Sequence, residues 1–92
     1  MPTSIFSEHI TRIAKQHDLK PLYLQEIIWH HIRGYNGIEI SRHISVDRNT
    51  VNKYLAELLR MNKNEVSVLY FSVIVLKSSN EVIAQIKKDL TT

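Results

Sequence analysis

The sequence predicts a mainly α-helical fold with one short β element. Three observations lead there. Apolar residues recur at helical spacing over most of residues 4–60. Both glycines fall in Gly34-Tyr35-Asn36-Gly37, which marks one sharp turn between helices. The segment 65–76, EVSVLYFSVIVL, is instead dense in β-branched and aromatic residues. Ninety-two residues with 43% apolar content make one folded domain, 1–92, with a modest core rather than a disordered chain.

The first helix spans about 4–17, because Ile5, Phe6, His9, Ile10, Ile13 and His17 share one face. Asp18 to Lys20 interrupt it. Pro21 then opens a second helix, where its missing N–H costs nothing. That helix runs to about Arg33, with Leu24, Ile27, Ile28 and Ile32 as core candidates. After the 34–37 turn come two helices at about 38–44 and 48–60, then a polar connector at 61–64. Residues 65–77 read as strand. A last helix is predicted at about 79–90. Ser78-x-x-Glu81 has the spacing of a capping box, and Val82 or Ile83, Ile86 and Leu90 form one stripe. Lys87 and Lys88 in its last turn complement the helix dipole.

The centre of the chain, Gly37 to Leu55, reads GIEISRHISVDRNTVNKYL. Ile40 and Ile44 lie on one face of a short helix. Ser41 is small where two helices cross. Val46 is a plug in the turn, and Asp47 can cap the following helix. Val51, Leu55 and Leu58 are the inward face of that helix. SVDRNTVNKYL resembles the recognition-helix segment of bacterial, phage, archaeal and transposase helix-turn-helix domains, which commonly read G-V-S-R-N-T-V-x-K-Y-L. Two positions depart. Ser45 stands where the turn glycine is usual, and a non-glycine residue at positive φ is strained. Asp47 stands for serine; it caps equally well but repels a nearby phosphate.

The resemblance implies a winged helix-turn-helix with additional N- and C-terminal helices. The helix-turn-helix occupies about 37–60 and the strand or wing about 65–77. No polar, glycine-bearing tip marks a wing hairpin. Either the chain turns tightly near Tyr70 to Ser72, or it runs as one long strand that needs cover on both faces. A second copy of the chain is the expected cover. Trp29, Leu69, Phe71, Val73 and Val75 are then the dimer-interface candidates.

In a helix-turn-helix the amino-terminal part of the second helix reads base edges in the major groove. With Val51 facing inward, Asn49, Lys53, Ala56 and Arg60 point away at 100° per residue, with Asn52 at the edge. Arg48, Asn49, Asn52 and Lys53 are therefore the base-contact candidates. Arg and Lys pair with guanine O6 and N7, and Asn with adenine N6 and N7. Arg42, His43, Thr50, Tyr54, Arg60 and Lys63 are the phosphate-contact candidates. Tyr54 lies roughly 60° from Val51 on the helical wheel, which favours a half-buried core role. The net charge of +3 suits an anionic partner, and Arg42, Arg48, Lys53, Arg60 and Lys63 cluster at the motif.

No catalytic residue, cofactor or metal is predicted. His30 and His31 are adjacent and diverge on a helix, while His9 and His17 are too far apart to chelate one ion. There are no cysteines, and two glycines cannot build a phosphate-cradling loop. The amino-terminal segment lacks the pattern of a signal peptide, and no apolar run is long enough for a spanning helix. The expected location is the cytoplasm, on the nucleoid.

The expected function is sequence-specific binding of double-stranded DNA as a homodimer, most simply to repress transcription. One alternative is a centromere-binding protein of a plasmid partition system, spreading along DNA with a partner ATPase. Small winged-helix proteins of archaeal plasmids and viruses are similar in length and layout. The other alternative is an interaction scaffold without DNA, working through the apolar segment and Trp29.

Overall fold

The computed structural model describes the backbone of residues 4–91 and the side chains of residues 5–78. The described residues form five helices and no strand: α1 (Ser4–Gln16), α2 (Pro21–Ile32), α3 (Gly37–Ile44), α4 (Arg48–Arg60) and α5 (Lys63–Thr91). The first four match the sequence reading to within a residue or two. The fifth overturns it. Among the described residues there is no β element and no wing. The predicted strand at 65–77 and the predicted helix at 79–90 are one continuous helix of 29 residues.

The helix wins at 65–77 for reasons visible in its contacts. Leu69, Ser72, Val73 and Leu76 are buried, and they recur at i, i+3, i+4 and i+7. Phe71 and Ile74 between them are exposed. A strand would have alternated instead. β-branched residues cost only a few tenths of a kcal/mol each in a helix, about 0.7 at most. The apolar cover offered by α1 and α2 outweighs that. The start is also written locally. The Asn62 side chain accepts a hydrogen bond from the Glu65 N–H (2.8 Å), and Glu65 accepts one from the Asn62 N–H (3.3 Å). This reciprocal capping box lies just ahead of α5. The predicted box at Ser78 falls within the helix; Glu81, the 82–90 stripe, Lys87 and Lys88 lie outside the described side chains.

Helix α2 is the hub and packs against the other four. On one side it meets α3 and α4, and on the other α1 and α5, which also pack together. The core joins Ile10, Ile13 and Ala14 of α1 to Leu24, Ile27 and Ile28 of α2, Ile40 of α3, Val51, Tyr54 and Leu58 of α4, and the buried stripe of α5. Ile32, a predicted core residue, lies at the surface. Glu26 and Lys77 form an ion pair that ties α2 to α5.

Three helices end in the same way. Each has a following residue at positive φ, with the next amide reaching back five residues. The bonds are Leu19 N–H to Ala14 O (2.8 Å), Tyr35 N–H to His30 O (3.1 Å) and Val46 N–H to Ser41 O (3.2 Å). The left-handed residues are Asp18, Gly34 and Ser45. Only one is glycine, so the sequence signal for two of these turns is weak.

His17, at the end of α1, fastens α4 and α5. Its Nε2 lies 3.0 Å from Glu65 Oε2 and its Nδ1 4.0 Å from Glu57 Oε2. The hydrogen bond from His17, then that from the Asn62 N–H, hold the Glu65 carboxyl below its ordinary pKa. A carboxyl depressed in the folded state stabilises above its unfolded pKa and loses that contribution as pH falls through the folded one. The expected result is a melting temperature that declines below about pH 4.3, and declines less steeply in Glu65→Gln. Thermal melts followed by circular dichroism from about pH 6 to about pH 3 check this.

Candidate nucleic-acid interface

Helices α3 and α4 are joined by three residues, Ser45 to Asp47. The Asn36 side chain caps α3 by accepting from Glu39 N–H, and Glu39 answers by accepting from Asn36 N–H. Ser41 is half-buried and its hydroxyl donates to Ile38 O at 2.7 Å. Ser45 adopts the left-handed conformation at φ 55°, ψ 41°. The turn that glycine usually makes is thus made here by serine. Val46 is half-buried against the core. Asp47 caps α4, its Oδ2 accepting from Asn49 N–H at 3.1 Å. The two helices, their caps and the short turn between them lie where the spacing predicts.

Replacing Ser45 with glycine removes the left-handed strain, about 1–2 kcal/mol, and adds unfolded-chain entropy worth about 0.5–1 kcal/mol. The expected net gain in stability for Ser45→Gly is about 0.5–1 kcal/mol. It is read as a higher urea midpoint with an unchanged m-value.

Helix α4 is sharply two-faced. Val51, Tyr54 and Leu58 are buried, whereas Arg48, Asn49, Asn52, Lys53, Ala56, Leu59 and Arg60 are exposed. All four base-contact candidates therefore lie in solvent on one helix. Asn52 has a further role. A Cβ placed on Gly37 would stand 2.6 Å from Asn52 Oδ1, so the amide lies against the start of α3.

The phosphate-contact candidates divide. Arg42, His43 and Lys63 are exposed and Thr50 is half-buried. Arg60 is exposed and lies 3.6 Å from Glu57. His43 stacks on His30, at 5.3 Å between ring centroids, and lies tilted against Tyr35, at 4.6 Å. Tyr54 belongs to the core. It is 4% exposed, and its hydroxyl accepts from Lys20 N–H at 2.8 Å.

The dimer candidates also divide, for the same reason the strand failed. Leu69 and Val73 are fully buried within the protomer and cannot meet a second copy. Val75 and Trp29 are half-buried, the Trp29 ring lying beneath the Arg33 guanidinium at 5.7 Å. Phe71 is 61% exposed and meets Phe6 edge-on. These two, with His9, Ser67, Val68 and Ser72, line an apolar groove of about 310 Å³ between α1 and α5.

The charges around the motif are used unequally. Four nearby carboxylates are engaged in folding: Glu39 and Asp47 in caps, Glu57 with Arg60 and His17, Glu65 with His17; the exposed Asp18 is in no ion pair among the described residues. Arg42, Arg48 and Lys53 pair with no carboxylate among the described residues. Glu39 and Asp47 are exposed but bonded to backbone amides, whereas Arg42, Arg48 and Lys53 face solvent outside any ion pair among the described residues.

An open cleft of about 490 Å³ lies beside the turn. Ser45, Val46, Asp47, Thr50 and Lys53 form one wall, and Asp18, Lys20 and Tyr23 the other, with Tyr54 between them. Sequence reasoning missed Lys20 and Tyr23, because they lie outside the motif and approach it only through the fold.

Among the described residues, no group of three or more His, Asp or Glu side chains is placed to hold a metal ion, and no helix is long and apolar enough to cross a membrane. Comparison with protein-family models, curated proteins and solved structures finds no match to this chain.

Proposed function

We propose that this protein binds double-stranded DNA sequence-specifically through α3 and α4, as a homodimer, and represses transcription by occupying a promoter. The observation that carries this reading is the charge asymmetry of the motif. Glu39, Asp47, Glu57 and Glu65 are committed to caps and ion pairs, and Arg42, Arg48 and Lys53 are left facing solvent. A helix whose outward side is basic and amide-bearing, held by a buried opposite side, has the chemistry of major-groove readout.

In this reading α4 enters the major groove. Arg48 and Asn49 reach base edges from its first turn, Asn52 follows, and Arg42 and Lys63 meet phosphates on either side. Ala56 keeps the helix surface low at its centre. The homodimer rests on exposed apolar side chains: Phe71 and Ile74 on α5, and Ile5 on α1. Two copies then present their recognition helices to successive major grooves, about 10 base pairs apart.

Selection of duplexes from a random pool at two salt concentrations tests the proposal. The expected result is enrichment of a palindrome bound by a dimer, with the dimer mass confirmed by light scattering. Tight binding at low salt with no enriched sequence points to nonspecific coating of DNA. Absence of binding at either salt rejects DNA as the partner, and a monomer at all concentrations rejects the homodimer.

A further inference from the structure

The cleft beside the turn joins two parts of the chain that the motif alone does not connect. Its two lips are the left-handed residues Asp18 and Ser45. Lys20 is fixed there at both ends. Its backbone N–H donates to the Tyr54 hydroxyl on α4, and its ammonium stands 5.2 Å over the Tyr23 ring. Tyr23 in turn leans on Tyr54, with ring centroids 6.2 Å apart. The Lys20 backbone is thereby tied to α4 and its ammonium rests on the Tyr23 ring of α2, which reduces the entropy lost when it meets an anion. Thr50 and Lys53 line the opposite wall.

We infer that this cleft seats a backbone phosphate of the DNA duplex between Lys20 and Lys53, with the Thr50 hydroxyl as a further donor. Lys20 is then a DNA contact from outside the helix-turn-helix, and Lys53 positions the protein rather than reading a base. The inference rests on the DNA-binding reading above. Two carboxylates share the cleft. Asp47 is engaged with the Asn49 N–H. Asp18 has no ion-pair partner among the described residues, and it opposes the phosphate, so it holds affinity down.

The test compares salt titrations of the duplex enriched by the unaltered protein, using Lys20→Ala, Asp18→Asn and Arg12→Ala. Asparagine tolerates the left-handed conformation of Asp18, and alanine at 20 keeps the bonded backbone N–H. Arg12 faces the α1–α5 side of the molecule and serves as the surface-charge control. Lys20→Ala is expected to lower the slope of log K against log salt by about 0.9, with all sequences weakened alike. Asp18→Asn is expected to bind about two- to fivefold more tightly. Arg12→Ala leaves both quantities unchanged.

An unaltered slope in Lys20→Ala overturns the phosphate seat while leaving DNA binding in place, as does a change confined to sequence preference. If the unaltered protein enriches no duplex and binds none, both readings fall together. Binding of inorganic phosphate to the free protein that is lost in Lys20→Ala, while the duplex salt slope is unaltered, assigns the cleft to a free phosphate ion and overturns the duplex assignment.

Discussion

Changing Arg48 and Lys53 together to glutamate is expected to remove duplex binding while leaving the protein folded. Both side chains are exposed on α4, and neither has a carboxylate partner among the described residues. Their replacement breaks no folding contact, and surface changes of this kind stay within about 0.5 kcal/mol of stability. Against DNA the effect is large. A base-contacting arginine is worth about 1–3 kcal/mol, and a phosphate-contacting lysine adds its share of counterion release. Reversal replaces attraction by repulsion at both points. Affinity falls at least about a hundredfold, measured by fluorescence anisotropy, with the melting temperature as the control for folding. A double variant that binds like the unaltered protein moves the interface off α4. Asn49 and Asn52 separate in the same assay. Asn52 lies against Gly37 and must leave it to reach a base. Asn49→Ala is thus expected to change the preferred duplex more than Asn52→Ala.

The α3–α4 pair is legible because its rules are local. Ile40, Val51 and Leu58 are apolar at fixed offsets and are buried, and Asp47 precedes α4 as a cap and acts as one. Ser45 shows the limit of local rules. It lacks the glycine signature yet takes the glycine conformation, held by bonds back to Ser41 and by Val46 on the core. The segment 65–77 failed for the opposite reason. Its composition is β-like, and its helical stripe is blurred by Ser72, a buried hydroxyl with no hydrogen-bond partner. The spacing of Leu69, Val73 and Leu76 was nonetheless present. So was Asn62-x-x-Glu65, a start signal that the polar look of 61–64 concealed. Asn36-x-x-Glu39 was a second such signal. The Lys20 wall of the cleft had no local signal at all, because it arises where the α1–α2 turn meets α4.

The helical face of α5 makes a demand that a strand does not. Along a strand, Leu69, Phe71, Val73 and Val75 share one side and respond alike to truncation. Along α5, Leu69 and Val73 lie in the core, while Phe71 points outward. Leu69→Ala is therefore expected to cost about 2–5 kcal/mol. That is a large part of the roughly 5–15 kcal/mol that holds a domain folded. The loss combines the transferred methyl groups with a cavity between α5 and its neighbours α1 and α2. Phe71→Ala gives up mainly an edge-on contact with Phe6 and costs about 1 kcal/mol. Urea denaturation of the two variants separates these outcomes. Similar losses for both at low protein concentration reject the helical face. A Phe71→Ala loss that appears only as concentration rises has another meaning. The missing stabilisation then comes from a second copy, since stability from association scales with protomer concentration and stability from the core does not.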